Sequence, residues 1–110
     1  MLEEMKLKDV MQLVELLKAK PGVCDELWCV GKVYFIRTVT MHLIGNLKAI
    51  NEKELLLDTA VWVADSGRFY DALKTGKLNE VEPFLNPVIV NRASVVDATE
   101  WQHPVPTEQK

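Results

Sequence analysis

The stretch Lys32–Ala64, KVYFIRTVTMHLIGNLKAINEKELLLDTAVWVA, decides how this chain folds. It is dense in β-branched and aromatic residues, and Asn51-Glu52-Lys53 is a polar break between two apolar runs. In an extended strand successive side chains point to opposite faces. Val33, Phe35, Arg37 and Val39 therefore share one face, with Tyr34, Ile36 and Thr38 on the other. Both faces carry apolar groups, so this strand is expected to be covered on both sides. Leu43, Gly45, Leu47 and Ala49 alternate against Ile44, Asn46, Lys48 and Ile50, a second strand with one drier face. Leu55-Leu56-Leu57 and Ala60-Val61-Trp62-Val63 supply a third, giving a three-stranded antiparallel meander.

Working outward, Asp9 with Gln12 resembles a capping box, and Val10, Leu13, Val14 and Leu17 follow at helical spacing. Lys18 and Lys20 suit the negative end of that helix, and Pro21-Gly22 ends it. The pattern predicts an amphipathic helix over roughly residues 9–20, with Met11 and Leu16 widening its apolar side. Residues 23–31 read as an apolar connector, with a short helix closed by Gly31 as one reading of it. Beyond the meander, Asp65-Ser66-Gly67 signals a turn, and Arg68 to Lys74 predicts a short helix stopped at Gly76. Leu78, Val81 and Phe84 allow one more helical turn, interrupted by Pro83. Residues 87–96 read as a late strand, with Pro87 at its first position where no donor is missed. The tail from His103 carries Pro104 and Pro106 among polar residues and is expected to be loose. The resulting fold class is α+β. An antiparallel sheet of about four to five strands, a meander plus a late strand, carries an N-terminal helix and a short helix after the third strand. The chain reads as one domain of 110 residues: residues 1–31 helix and connector, 32–100 the sheet core, 101–110 a flexible tail.

Composition narrows the function. Nearly half the residues are apolar and about a quarter are charged, as in ordinary globular domains. A net charge of −3 lacks the basic excess of a general DNA coat, while a local basic pocket stays open. No run is long enough to span a bilayer, and the start, Met1-Leu2-Glu3-Glu4, is acidic, unlike a signal peptide. The expectation is a cytoplasmic protein with no membrane partner. Cys24 and Cys29, spaced C-x4-C, match no metal or redox motif and are expected to be reduced, partly buried thiols. His42 and His103 have no ligand-spaced companion, so no metal site is expected. No nucleophile elbow, Walker loop or dinucleotide fingerprint is present, and Glu54, Asp58 and Asp65 read as solvated turn carboxylates. The chain therefore reads as a non-enzyme without a cofactor.

Arginine is the informative cation. Ten of the thirteen basic residues are lysine; the arginines are Arg37, Arg68 and Arg92. Arg37 and Arg92 lie inside apolar strand sequences, where a bare guanidinium would cost several kcal/mol to bury. Either an internal acid such as Asp58 or Asp97 holds them, or they face solvent, or they grip a phosphate bidentately. In the last case Trp62 offers a flat surface for a base, with Phe69 and Tyr70 as further aromatics.

The order Tyr34-Phe35-Ile36-Arg37-Thr38, Leu43-Ile44-Gly45-Asn46-Leu47, Glu54-Leu55-Leu56-Leu57-Asp58, Val61-Trp62-Val63 and Val88-Ile89-Val90-Asn91-Arg92-Ala93 resembles the phage Thoeris anti-defence proteins of the first kind, over roughly residues 32–100. The resemblance implies a non-enzymatic sponge that sequesters cyclic ADP-ribose isomers, and in some members cyclic oligonucleotides, withholding an immune signal in the host cytoplasm. It implies a pocket between protomers of a homodimer or homohexamer. Arg37 would contact phosphate, Trp62 would stack on adenine, and Arg92 would lie near the end of the pocket, with Arg68, Asn91 and Phe69 beside them. The sequence departs from the family pattern where bulky Arg68-Phe69-Tyr70 follow the third strand. The alternative function is a small protein-interaction module with no small-molecule ligand, using the N-terminal helix and an exposed sheet edge while the arginines are structural.

Overall fold

The structure, a computed structural model, describes residues 24–25 and 27–110. The helix expected over residues 9–20 lies outside the described residues. The meander forms as the alternation requires: β3 (Val33–Thr38), β4 (His42–Ile50) and β5 (Glu54–Asp65) pair antiparallel in succession. Asn51 makes the β4–β5 turn, its Oδ1 accepting from the backbone N–H groups of Lys53 and Glu54 at 2.8 and 2.7 Å. A helix, α1 (Phe69–Thr75), follows β5 and ends at Gly76, whose φ of 78° is the left-handed conformation that closes helices. An added Cβ at Gly76 would also lie 2.7 Å from the His103 ring, so space as well as backbone selects glycine there. Two short strands come next, β6 (Glu80–Pro83) and β7 (Val88–Asn91); a 3-10 turn at Arg92–Ser94 then leads into β8 (Val95–Glu100). Broadly this is a mostly-β, α+β architecture.

The sheet curls. β6 and β7 lie end to end along the same edge of β5, pairing with residues 61–65 and 54–57 respectively. β8, reached from β7 in a single 3-10 turn, pairs instead with β3, two strands away from β5. The ends of that turn are pinned: the Arg92 N–H donates to the Lys53 carbonyl at 2.9 Å, and the Val39 N–H to the Ser94 carbonyl at 3.0 Å.

Both faces are covered, as the apolar residues on both sides of β3 demand. On the inner face Tyr34, Ile36, Leu43, Leu47, Leu55, Leu57, Ala60 and Val90 form one cluster. On the outer face Phe35, Ile44, Val61, Val63 and Val81 pack beneath Ala72 of α1 and Trp101. Ile50 joins the inner cluster with Leu43 and Leu47, against strict alternation, because the register slips between Leu47 and Ala49. A second irregularity lies between Ile44 and Asn46, opposite Thr59, which adopts φ 50° beside Asp58. Gly45 faces β5 so closely that a Cβ would sit 3.0 Å from the Cβ atoms of Leu57 and Ala60.

Five expectations are corrected. Residues 87–96 are not one late strand: the 3-10 turn at Arg92–Ser94 divides β7 from β8, which pair with β5 and β3 respectively. Residues 23–31 do not form a helix where described. β1 (Cys24–Asp25) and β2 (Trp28–Cys29) make a separate two-stranded hairpin. Cys24 and Cys29 are joined by a disulfide rather than being free thiols, because antiparallel pairing sets them opposite each other. The turn expected around Leu78–Phe84 is strand β6, in which Val81 is drawn into the outer cluster; sheet pairing overrides the helical spacing. Residues 101–110 are packed rather than loose. Trp101 is buried, Val105 packs on the outer cluster, and Lys110 exchanges backbone hydrogen bonds with Val81 at 3.0 and 3.1 Å.

Candidate binding surface

The six residues singled out from sequence fall in three places. Arg37 sits on β3 directly opposite Asp97 of β8. Its Nε donates to Asp97 Oδ1 at 2.7 Å and its Nη2 to Oδ2, a bidentate fork, while the guanidinium lies 4.7 Å above the Phe69 ring. This is an internal acid serving the arginine, one of the outcomes the sequence left open. The hydrogen bonds from Arg37, joined by smaller electrostatic contributions from Arg37 and His42, hold the Asp97 carboxyl below its ordinary range. Reciprocally, the bond to Asp97 pushes the guanidinium further toward its charged form. Arg68 is exposed immediately before α1, next to Phe69. Arg37, Phe69 and Arg68 thus gather at the start of that helix.

Arg92 and Asn91 stand elsewhere, at the 3-10 turn. Arg92 Nη1 donates to the Asn51 carbonyl at 2.6 Å, which ties β7 to the β4–β5 turn. Asn91 caps its own turn: its Oδ1 accepts from the Ala93 N–H at 3.0 Å and its carbonyl from Ser94 Oγ at 2.7 Å. Both side chains act in holding the curl.

Trp62 is in the third place. It pairs with Leu43, which in turn pairs with Ile36, so the indole lies on the sheet face opposite Arg37. It is 38 % exposed. Among the described residues, Arg37, Trp62 and Arg92 therefore stand at three separate places.

What sequence reasoning missed is an apolar surface around Ile89. Met41, Leu43, Phe84, Val88 and Ile89 line a groove of about 200 Å³ between the β3–β4 turn, the β6–β7 loop and β7. Ile89 also borders a larger hollow of about 410 Å³ with Ile50, Leu55 and Leu56. Trp62 is the cross-strand neighbour of Leu43 in the groove, and Leu85 beside Phe84 is 97 % exposed. The signal for this surface was in the sequence: Phe84-Leu85 is an apolar pair in a loop between Pro83 and Pro87, with no element of its own to bury it. Glu54 borders the larger hollow, and Glu52, Lys53 and Glu54 a third one beside Asn91, while the Arg92 guanidinium bonds the carbonyl of Asn51 in the larger hollow, so both signs of charge rim this end of the molecule.

The chain matches no protein-family model, no curated protein and no solved structure. Among the described residues, no group of three or more histidine, cysteine, aspartate or glutamate side chains is placed to hold a metal ion. No described helix is long and apolar enough to cross a membrane.

Proposed function

We propose that this chain is a non-catalytic protein-interaction module, recognising an extended segment of a partner or of a second copy along the surface centred on Ile89. The observation carrying this reading is the exposed apolar surface itself, in which Ile89 remains 67 % exposed beside a sheet edge. Edge strands bind extended chains through backbone hydrogen bonds, while alternate side chains enter neighbouring grooves. The arginines then have structural work in the fold, Arg37 with Asp97 and Arg92 with Asn51. The test is a native mass measurement together with affinity capture, comparing wild type with Ile89→Lys and Phe84→Ala. Loss of a homodimer, a homohexamer or a captured partner in the variants supports the reading. A wild-type monomer that captures nothing, unchanged by either variant, ends it.

A second reading is sequestration of a cyclic nucleotide signal such as a cyclic ADP-ribose isomer. It is favoured by the half-exposed indole of Trp62, which leaves an aromatic surface for a base. In this reading a second copy completes the pocket, or the Arg37 fork exchanges Asp97 for phosphate. A thermal-shift panel of cyclic ADP-ribose isomers and cyclic dinucleotides separates the two readings. A ligand at a hundred times its dissociation constant adds ~2.7 kcal/mol of stability. Silence across that panel removes the sponge, and Trp62→Ala abolishing a shift supports it.

A further inference from the structure

We propose that Cys24–Cys29 is a reversible thiol–disulfide switch that fastens the β1–β2 hairpin against Tyr34 when oxidised and releases it when reduced. Three observations carry this. The hairpin is a sheet of its own, in which the described residues make two pairs, Cys24 with Cys29 and Asp25 with Trp28. A two-stranded hairpin this short does not hold itself in water, so the covalent link is what closes it. Second, its described links to the core run through Cys29 and through Trp28, which packs against the inner cluster. The Cys29 N–H donates to Tyr34 Oη at 2.8 Å, and the Trp28 ring meets the Tyr34 ring edge-on with centroids 4.9 Å apart. From Val30 onward the chain is anchored independently. Val30 is buried, and Gly31 and Lys32 exchange backbone hydrogen bonds with Leu47 at 2.8 and 2.9 Å. Third, Cys24 is exposed, which gives a thiolate access to the bond.

The exchange balances as follows. One thiolate of an external dithiol attacks one sulfur of the pair, forming a mixed disulfide and expelling the other sulfur as a thiolate. The second thiol of the reductant then displaces the remaining cysteine. Two electrons and two protons pass to the protein, and the reductant leaves as its cyclic disulfide. Opening frees β1 and β2 and uncovers the Tyr34 ring, while the β3–β8 ladders stay paired. Disulfides rarely persist in a reducing cytoplasm, so the surroundings set which form is present.

The experiment treats the intact chain with dithiothreitol without denaturant, counts alkylated thiols by mass and follows amide exchange. The expected result is two alkylatable cysteines gained reversibly. Protection falls by roughly tenfold or more at Cys29 and is unchanged in β4 and β5. Cys24→Ser/Cys29→Ser should match the reduced form and ignore the reagent. Free thiols before reduction, a bond that opens only in denaturant, or protection lost throughout the sheet would each overturn the proposal.

Discussion

The sheet has two edges that the chain treats in opposite ways. Along β6, Lys110 continues the ladder by bonding Val81 in both directions, Gln109 Nε2 donates to Glu82 at 3.0 Å, and Pro83 offers no donor. Free strand edges invite association, and this edge is blunted by the chain's own tail. Along β8 no described strand covers the outer edge, and Val96 stands 65 % exposed in a segment, VVDATE, that has neither lysine nor proline. β7, with Ile89, is likewise paired on one side only among the described residues. The β6 edge is closed by the protein itself, whereas the β8 edge is unpaired among the described residues.

This contrast can be broken most severely at Trp101. The ring is buried against Phe35, centroids 5.8 Å apart, and Trp101→Ala should cost about 3–5 kcal/mol and release the tail from β6. Chemical denaturation with amide exchange at Val81 checks both effects; an unchanged midpoint would show that the tail does not hold the closed edge. Next in size is Gly45→Val, which forces branched carbons against Leu57 and Ala60 and should destabilise by about 1–3 kcal/mol. The bare edge should respond in the reverse manner. Val96→Lys should leave the folding midpoint within about 0.5 kcal/mol of wild type while weakening any association through β8, as read by sedimentation. A large loss of stability there would mean that the edge serves the fold after all.

The smallest effect concerns acid. Asp97 has its folded value held below the ordinary 3.8, so the carboxylate form favours the native state. The contribution is present above 3.8 and is lost as pH falls through the lower folded value. Because the Arg37 pair is solvent-exposed, Asp97→Asn should flatten the acid limb of a stability–pH curve only slightly, with no change near neutrality beyond the lost pair. A neutral-pH collapse in that variant would assign the pair a larger role in closing β8 onto β3.

Much of the fold was legible in local pattern. Alternation through Val33–Thr38 located β3 and announced that both its faces are covered, and Asn51-Glu52-Lys53 marked the β4–β5 turn. The glycine at position 76 stopped α1 where expected. The candidate site was less legible. Arg37 and Arg92 look alike in sequence, each a cation inside an apolar run, yet one meets a carboxylate sixty residues away and the other a turn carbonyl forty-one residues away. Trp62 and Arg37 both lie on strands of one meander, but whether they share a face depends on pairing register, which a single-residue slip inverts. Leu78 and Val81 suited a helix turn by spacing, and only the vacant edge of β5 made that segment a strand.

What the sequence determined by itself is therefore the set of elements whose signal lies within a few residues: the meander, the turn at Asn51 and the stop at Gly76. Tertiary structure alone decided the curl, the partner of each arginine, the cystine at the hairpin and which edge the tail would close. Periodicity and turn chemistry act between near neighbours, whereas pairing partners are chosen by the burial and hydrogen bonding of segments far apart in the chain.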